Sequence, residues 1–557
     1  MANVSDQDRG DSGSSTLQDA FRRLFTTSSR LQFMYTISDA VLFASLLQRV
    51  LFKQKKYKLF PGWAAIEIAL TGYVISRGGL SRQIYSAIRR RGGSLFGLTS
   101  THQVLINLPD VDRVMSQAHH TLSTEPLQYT LTTRVFGATD TPELKQKFED
   151  CAKDLLKPVA QVFSNDANAA AALEKSCIPK KAASFVTFSS DVEKMKRWEL
   201  SAGTRVITPD SLGKPGAVEA NLQSLSRDFG ACIAVSQLYG KDFLARNEKL
   251  LDDFWTFDND LFPLMLVGIP IWAPFKIVRD GVAARSRLNQ ALEGLYRRID
   301  QFQKGQAVDF GADLSDISSV ALGRNMVYNR HNWSFKDRGG GDLALLWGQN
   351  ANTQPLLFWF LVYVYSTLGL LARIREEIAP YVPISKSASP EIASIDLPAL
   401  SHDCVLTKAC LFETYRLANE AASIRYVARP ITVNDGDLKH ELKPGTFVSA
   451  PHSLIQRDPL VYADPDRFIP DRFVEVDPES GKLVARYGRL KPWGSGTAQC
   501  KGRPFAEKEI LMLGSAIISL WNIAPAGGTW KLPAMVPGTG VEKPVEDIRV
   551  VITRRVF

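Results

Sequence analysis

The sequence is poor in the residues that build metal clusters and disulfide scaffolds. Six cysteines and seven histidines are spread over 557 residues, with no C-x-x-C pair and no H-x-x-x-H pair. A zinc site therefore has little support, and a chain of this length does not need disulfides. Most of the cysteines are expected to be reduced, buried thiols of a cytosol-facing protein. The chain also lacks a flavin or dinucleotide fingerprint, so any electrons that it uses must come from outside.

The excess of positive charge is small. Lysine and arginine number 67 against 58 aspartates and glutamates, a net charge of +9. This modest excess suits an anionic membrane surface or an acidic protein partner, and without a supporting motif it predicts no nucleic-acid partner. The hydrophobic content of 45% and the charged content of 22% are globular values. They exclude disorder and collagen-like repeats.

Composition divides the chain into three parts. Residues 1–30 are polar and predict a flexible tail, and no cleavable signal peptide is expected because the first apolar stretch starts too late. Residues 31–78 hold two apolar stretches, Leu31–Phe52 and Leu59–Ser76, each followed by a basic cluster. The positive-inside rule favours a membrane-associated anchor in which the first stretch crosses or neither crosses fully. The alternative is a pair of ordinary buried helices. Residues 79–557 carry no linker or repeat and predict one large domain.

Helical patterns dominate that domain. The amphipathic segment Glu143–Lys157 and the long apolar run Leu343–Leu371 both predict helices. Polar residues cluster inside the second run, from Gln349 to Pro355, and suggest a buried site at a helix kink. Strand signals, Ser423–Val427 and Ile431–Val433, occur only near the carboxy-terminal third. The predicted fold class is therefore mainly α with a small β part.

The most specific motif surrounds Cys500, in the stretch P-W-G-S-G-T-A-Q-C-K-G-R-P-F-A that begins at residue 492. Glycines at 494, 496 and 502 allow the backbone to wrap closely around one sulfur, and a helix begins directly afterwards. Amides at a helix start would stabilise the anion of that sulfur. Such a thiolate is either a nucleophile or a metal ligand, and the motif holds no general base. The remaining alternative is a buried structural cysteine.

This loop resembles the haem-thiolate loop of the cytochrome P450 monooxygenases. The resemblance places Cys500 at the axial ligand of the haem iron. It also implies that haem b is bound among Trp493, where the family usually has Phe, and the glycines Gly494, Gly496 and Gly502. The position two before the cysteine, which is usually basic and contacts a haem propionate, is Ala498 here. The resemblance implies the cytochrome P450 fold.

Two further motifs agree with this family. Glu413 and Arg416 form an E-x-x-R at the i, i+3 spacing of one helix face. Pro-x-Arg-Phe occurs at 465–468 and 470–473, and the second copy matches the family's partner motif better because Phe-x-Pro precedes it. The resemblance implies a structural ion network of Glu413, Arg416 and Arg472. Arginine suits such a buried pairing because its planar fork matches a carboxylate.

The polar cluster in the apolar run carries the predicted proton chemistry. Most family members have an acid–Thr pair here beside the oxygen-binding face of the haem, but this chain has Asn352 and Thr353. Asn cannot act as an acid, so proton supply must use Thr353, water ordered by the amide, or both. The surrounding pattern is similar to the branch of the sterol 7α- and 12α-hydroxylases and prostacyclin synthase. That branch implies a haem-propionate contact for Arg425.

The resemblance implies a monooxygenase that oxidises a lipophilic, polycyclic substrate of steroid, terpenoid or polyketide origin. Electrons would come from NADPH through a separate cytochrome P450 reductase that docks near Lys491, Lys501, Arg503 and Lys508. The expected location is the endoplasmic reticulum membrane, with the catalytic domain facing the cytosol. Three alternatives remain open: a haem-thiolate isomerase or dehydratase, a non-catalytic haem-binding protein, and a membrane-tethered scaffold without haem. Substrate specificity is expected to come from residues 115–140, Phe262–Phe275 and 423–427.

Overall fold

The structure is a computed structural model that describes residues 95–97, 102–105, 111–207, 216–266, 269–385, 390–435, 438–536 and 540–557. The predicted tail, residues 1–30, and the predicted anchor, residues 31–78, lie outside the described residues. The first part of the predicted catalytic domain lies outside them as well.

Helices form about half of the described chain and far exceed the strands, which confirms the mainly α prediction. Two short π-helical segments, Leu131–Val135 and Phe257–Leu261, and a 3-10 turn, Pro470–Phe473, supplement them. The α-helices run over Val111–Met115 (α1), Glu125–Thr130 (α2), Pro142–Phe163 (α3), Asp166–Glu174 (α4), Ile178–Ala182 (α5), Arg197–Ser201 (α6), Leu222–Tyr239 (α7), Lys241–Arg246 (α8), Leu250–Thr256 (α9), Phe262–Leu266 (α10), Lys276–Gln303 (α11), Ser319–Arg330 (α12), Phe335–Asn350 (α13), Thr353–Ser366 (α14), Leu370–Ile378 (α15), Leu397–His402 (α16), Val405–Ala418 (α17), Ser453–Gln456 (α18) and Arg503–Leu520 (α19).

The β part is small but more widely distributed than the sequence signals indicated. The strands are Leu95–Gly97 (β1), His102–Leu105 (β2), Leu122–Ser123 (β3), Arg205–Ile207 (β4), Ala217–Asn221 (β5), Ala422–Val427 (β6), Ile431–Asp435 (β7), Leu438–Leu442 (β8), Phe447–Pro451 (β9), Val474–Val476 (β10), Leu483–Ala485 (β11), Trp521–Pro525 (β12), Met535–Val536 (β13), Lys543–Pro544 (β14) and Arg549–Arg554 (β15). The prediction that strands occur only near the carboxy-terminal third is therefore wrong. The early strands are two to five residues long, too short for a detectable alternation of apolar and polar residues.

Two sheets join distant parts of the chain. One has the strand order β1-β2-β9-β6-β3, in which β2 and β9 are parallel and the other neighbours are antiparallel. The other has the order β12-β15-β5-β4 and is antiparallel throughout. The predicted strands at 423–427 and 431–433 correspond to β6 and β7. Strand β6 lies between β9 and β3 in the first sheet.

The central helix of the core is α14, in which every residue from Thr353 to Tyr365 is buried. A helix that is apolar all round belongs inside a protein or inside a bilayer. Here it packs against α7, α17 and α19. Among the described residues, no single helix has the length and apolar composition to cross a bilayer, and the bent pair Phe335–Ser366 and Leu370–Ile378 meets that test by composition and length alone.

Candidate active site

The Cys500 loop is held in a tight turn by two glycines with left-handed backbone angles. Gly494 has a φ of +75° and Gly496 a φ of +74°, a region that other residues enter only with strain. A Cβ atom on Gly496 would lie 2.2 Å from the backbone oxygen of Met115. Glycine at 496 is therefore required twice, by its backbone angle and by the close approach of the α1 backbone.

Side chains from β6 and its neighbours hold this loop from one side. The Ser495 N–H donates to the Ser423 hydroxyl over 2.8 Å. That hydroxyl is also 2.9 Å from Nε2 of His452. Burial lowers the pKa of His452 to about 4, so the imidazole is neutral near pH 7. A network of neutral side chains therefore holds this side of the loop.

Cys500 lines a cavity, and its accessible surface faces that cavity. Burial is the largest influence on the thiol and raises its pKa. The backbone N–H groups of Gly502 and Arg503, at the start of α19, act in the opposite direction, together with the charges of Arg503 and Lys501. Two amides and two cations thus favour a sulfur anion at a site that otherwise disfavours it, which is the electrostatic setting of a metal-ligating thiolate.

Gly502 and Trp493 line the same cavity as this sulfur. Gly502 is the N-cap residue of α19 with a φ of −82°, and a Cβ there would make an ordinary contact with the Cys500 Sγ at 3.8 Å. Unlike Gly496, it does not need glycine for its backbone angle. The Trp493 indole N–H donates to the Tyr487 hydroxyl over 3.0 Å, and its ring meets the Tyr415 ring edge-on at 5.1 Å. These contacts fix the orientation of the indole at the cavity wall.

Glu413, Arg416 and Arg472 form a buried ion network. Arg416 donates from Nε and Nη2 to the two Glu413 carboxylate oxygens, over 2.7 and 2.8 Å. Arg472 donates to Glu413 Oε1 over 3.2 Å, and the Ile469 N–H donates to the same oxygen over 2.9 Å. The second Pro-x-Arg-Phe copy therefore supplies the partner arginine, while the first copy supplies backbone carbonyls.

Backbone carbonyls accept the remaining hydrogen bonds of the Arg416 guanidinium. Arg416 is 1% exposed, and its remaining donors bond the backbone oxygens of Gln456, Pro465 and Arg467 at 2.6 to 3.1 Å. A buried charge is tolerated only when its hydrogen bonds are satisfied. The network therefore fastens α17 to the segment 456–472, which precedes the Cys500 loop.

The predicted kink in the long apolar run is a complete break between α13 and α14. Helix α13 ends at Asn350 and α14 begins at Thr353, so Ala351 and Asn352 lie between them. Pro355 explains the break because it cannot donate an N–H to the carbonyl of Ala351 four residues earlier. Thr353 is 4% exposed and lines the same cavity as Cys500, and Asn352 lines it too.

The residues around the break keep unused hydrogen-bonding groups. Among the described residues, Oε1 of Gln349, Oδ1 of Asn350 and both amide atoms of Gln354 have no hydrogen-bond partner. A Cβ on Gly230 of α7 would lie 1.9 Å from Gln354 Oε1, so that glycine makes room for the amide. Buried polar groups of this kind are normally satisfied by ordered water. The break therefore has the chemistry of a water-holding site.

The cavity has a volume of about 680 Å³, within the range of small-molecule sites. Of the residues predicted to act in catalysis or to bind haem, Cys500, Trp493, Gly494, Gly502, Asn352 and Thr353 line it, whereas Gly496 and Arg425 do not. A larger cavity of about 1220 Å³, between α4, α5 and α7, contains none of them. No cluster of three or more potential metal ligands occurs in the described parts of the chain. The Cys500 cavity is therefore the candidate active site.

Arg425 lies behind the loop, where it is 4% exposed. Its guanidinium donates to the backbone oxygens of Ser495 and Ile424, both over 2.9 Å. No carboxylate of the described chain pairs with it, and burial lowers its pKa to about 10. A buried cation without a counter-ion beside the loop is suited to an acidic group of a bound molecule. The propionate contact of Arg425 stays a prediction.

One residue of the cavity wall was missed by the sequence analysis. Glu509 of α19 is 1% exposed and lines the cavity, and neither of its carboxylate oxygens has a hydrogen-bond partner among the described residues. Burial raises its pKa to about 8. The sequence does contain a signal for this residue, since Glu509 is an acid directly before the apolar residues 510–513. Only the packing of α19 shows that the side chain of Glu509 lines the cavity.

The structure also corrects the predicted set of basic residues at which a reductase would dock. Lys508 is buried and pairs with Asp166 over 2.7 Å, so it is not available on the surface. Lys491 is engaged by Asp112. Lys501 is exposed, and Arg503 is half-buried. The basic surface next to the thiolate is therefore narrower than predicted.

Comparison with known proteins identifies a family for this part of the chain. Residues 343–544 match the family model of cytochrome P450. A cytochrome P450 monooxygenase of Gibberella zeae is 25% identical over 353 residues, which are 62% of this chain and 64% of that protein. Cytochrome P450 7B1 of Mus musculus is 28% identical over 52% of this chain and 56% of its own length. The 25-hydroxycholesterol 7-alpha-hydroxylase of Rattus norvegicus is 26% identical over 52% of this chain and 68% of its own length.

The chain thus spans less than two thirds of the first two relatives. The matched residues contain the helix break, the Glu413–Arg416–Arg472 network and the Cys500 loop. These features and matches assign residues 343–544 to a cytochrome P450 domain, and sterol 7-hydroxylases are among the proteins similar to it.

Proposed function

We propose that the protein is a haem-thiolate monooxygenase that oxidises a lipophilic, polycyclic substrate. The observation that carries the proposal is the shared cavity, in which a thiol stabilised by two helix-start amides and a threonine at a helix break line one space. The two alternatives that bind haem, an isomerase or dehydratase and a non-catalytic haem protein, also need the Cys500 sulfur. Only oxygen activation also needs proton delivery at Thr353.

The residues present fit a haem b. The cavity offers one thiol, a glycine-rich approach to it and the Trp493 ring, and Arg425 supplies a buried positive charge nearby. When bound, the haem supplies the activation of dioxygen and the oxidation of a C–H bond. Cys500 would bind its iron through the sulfur. The N–H groups of Gly502 and Arg503 would hold that sulfur as an anion.

Thr353 and Asn352 would act at the helix break, which lines the same cavity. The Thr353 hydroxyl can accept a proton from water and pass on its own, and the Asn352 amide can orient that water. Neither group is an acid. Proton delivery therefore depends on a relay that begins elsewhere in the protein or in solvent.

Replacing Thr353 by Ala is expected to uncouple the enzyme. The variant should still bind haem and substrate and still consume NADPH, but it should release peroxide and form product roughly ten- to a hundredfold more slowly, because a proton relay is missing. Simultaneous measurement of NADPH, peroxide and product checks this. Thr367→Ala, at the other end of the same helix and outside the cavity, is the matched control. Unchanged coupling in Thr353→Ala would remove the relay role.

Turnover with a reductase separates the alternatives. A monooxygenase requires NADPH and reductase, an isomerase or dehydratase converts a peroxide without them, and a non-catalytic haem protein does neither. The experiment is to incubate the haem-loaded protein with reductase, NADPH and a panel of steroids, terpenoids and polyketides. A substrate-induced spectral shift would select the compounds. Reductase-independent turnover of a peroxide would favour the isomerase.

The substrate class is inferred from the cavity and from the relatives. The walls contain apolar side chains, including Leu345, Leu356, Val159, Phe163 and Val541. Such a lining favours an apolar ligand with few polar groups. The names of two relatives include 25-hydroxycholesterol and cholesterol, and a steroid is accordingly the first probe. The electron donor is inferred to be an NADPH–cytochrome P450 reductase that contacts Lys501 and Arg503.

Association with the endoplasmic reticulum membrane, with the catalytic domain in the cytosol, is also part of the proposal. The segment before α11 exposes Ile271, Trp272 and Phe275, with Trp272 80% exposed. A tryptophan beside other apolar side chains suits the boundary between lipid headgroups and tails.

Replacing Trp272 by Ala is expected to weaken binding to phospholipid vesicles by about tenfold, because burying an aromatic side chain contributes ~1.5 kcal/mol or more. Vesicle co-sedimentation of the haem-loaded protein measures this. The matched control is Phe310→Ala, since Phe310 is fully exposed in a different loop. Equal loss in both variants would show that the effect is general hydrophobicity rather than a defined membrane contact.

A further inference from the structure

The cavity between α4, α5 and α7 has no part in the chemistry described above. Its volume of about 1220 Å³ is sufficient for a small organic molecule. None of its lining residues also lines the Cys500 cavity. Helix α7 lines it through Ile233, Ser236 and Gln237 and also packs against α14. The two cavities are therefore separate spaces that different molecules can occupy at the same time.

Positive charge dominates the wall of this second cavity. Five cationic side chains line it, the lysine cluster Lys175, Lys180 and Lys181 together with Lys241 and Arg554. The two carboxylates of the wall each have a cationic neighbour. Asp316 lies 4.0 Å from the ammonium group of Lys241, and Glu391 interacts electrostatically with Arg554. Within the part of the chain that the structure describes, the side chains of the lysine cluster take part in no ion pair and no hydrogen bond.

Lys181 is the most enclosed member of the lysine cluster. It is half-buried, whereas Lys175 and Lys180 are exposed. Burial is the largest influence on its ammonium group and lowers its pKa, and the positive charge of Lys241 acts in the same direction. An ammonium group that is held away from water beside a like charge is stabilised when an anion binds next to it. The wall therefore has the electrostatics of an anion site.

The neutral groups of the wall add a second requirement. Oε1 of Gln237 is buried and has no hydrogen-bond partner among the described residues, while its Nε2 donates to the backbone oxygen of Ala172 over 2.6 Å. An amide oxygen can only accept, so it suits a hydroxyl or amino group of a ligand. The hydroxyls of Ser236 and Ser319 line the same space and can donate to anionic oxygens. The wall thus offers both cations and a hydroxyl acceptor.

We propose that this second cavity binds a phosphate ester of a hydroxyl-bearing molecule, with the lysine cluster at the phosphate oxygens and Gln237 at a hydroxyl. A phosphate monoester carries about −1.5 to −2 charges near pH 7, which several lysines together can balance. Nucleotides, sugar phosphates and phosphoinositide headgroups share this chemistry. No residue of the Cys500 cavity takes part, so the inference does not depend on the proposed function.

Lysine acetylation of the haem-loaded, full-length protein, read residue by residue by mass spectrometry, tests this site. AMP is the soluble probe. At ten times its Kd it should slow the acetylation of Lys180 and Lys181 about tenfold, by simple occupancy. Lys194 is the internal control, because its side chain is 77% exposed and lies outside the cavity. Its acetylation should not change. Absence of protection by every phosphate probe, or equal protection of Lys194, would overturn the inference.

Two further probes distinguish the sources of the phosphate. Inorganic phosphate has a similar charge but no sugar hydroxyls, so it should protect the lysine cluster only at higher concentration than AMP. Phosphatidylcholine vesicles that contain phosphatidylinositol 4-phosphate present the same chemistry as a lipid headgroup. Protection by these vesicles but not by AMP would support the site and assign it to a lipid. Protection by vesicles of phosphatidylcholine alone would contradict an anion site.

Variants of the wall separate a defined site from general charge attraction. Lys181→Met keeps the apolar stem of the side chain and should weaken AMP binding roughly tenfold in calorimetric titration, whereas Lys181→Arg should retain it. Lys194→Gln removes the same charge outside the cavity and should have no effect. Gln237→Met should weaken the binding of AMP but not that of inorganic phosphate. Equal losses in Lys181→Met and Lys194→Gln would refute a defined site.

Discussion

Replacing Cys500 by Ser is expected to yield a folded protein whose reduced, CO-treated form lacks the red-shifted band of a thiolate-ligated haem. Monooxygenase turnover should fall below detection. The fold should survive because the Cys500 side chain borders the cavity rather than filling the apolar core. The red-shifted band should be lost, since a serine hydroxyl does not become an anion at neutral pH and cannot donate electron density as a thiolate does.

The CO difference spectrum and circular dichroism of the same sample measure both parts of this result. Cys177→Ser is the control, because Cys177 is exposed and lies outside the active-site cavity. It should keep the band and the activity. Persistence of the band in Cys500→Ser would end the ligand assignment and turn attention to Cys404 or Cys410. Both are buried, and burial raises the pKa of Cys404 to about 12, so each is a poor source of a thiolate.

Replacing Glu413 by Ala is expected to prevent folding or haem retention rather than to alter kinetics selectively. Arg416 would keep its carbonyl partners but lose both bonds to the carboxylate, and the Ile469 N–H would lose its acceptor. Stranding a buried charge in this way costs roughly 3 to 5 kcal/mol. That is a large share of the ~5 to 15 kcal/mol that typically separates folded from unfolded domains.

Soluble yield, haem content and the midpoint of thermal unfolding measure this effect. The matched control is Asp466→Ala, which removes an acid of the same region whose side chain is 86% exposed and pairs with Arg457. An exposed ion pair contributes about 0 to 1 kcal/mol, so this variant should behave like the wild type. A Glu413→Ala protein that is soluble, haem-replete and nearly fully active would show that the network is dispensable.

The features that the sequence predicted well depend on local chemistry. The turn around Gly494 and Gly496 follows from the freedom of glycine, and the helix break follows from the missing N–H of Pro355. The pairing of Glu413 with Arg416 follows from their spacing on one helix turn. Each of these causes acts within a few residues along the chain. The mainly α composition was predictable for the same reason.

The features that sequence reasoning missed depend on contacts between distant segments. Lys508 is buried where α19 packs against α4 and pairs there with Asp166, more than 300 residues earlier, so no local pattern could exclude it from the predicted docking surface. The sequence analysis grouped Gly502 with Gly494 and Gly496, but its φ of −82° is one that any residue can adopt. The short strands β3, β4 and β5 exist because partners elsewhere in the chain complete their hydrogen bonds.

Local sequence alone therefore determined the glycine turn beside Cys500 and the broken helix, because residue type and spacing are sufficient for each. Only the tertiary structure decided which groups meet in the cavity. The packing of α19 on α14 brings Glu509 to the same space as Thr353, and the pairing of β6 with β9 sets Ser423 and His452 against the loop. Burial then sets the charge of Glu509 and His452, and burial is a property of the whole fold rather than of any segment.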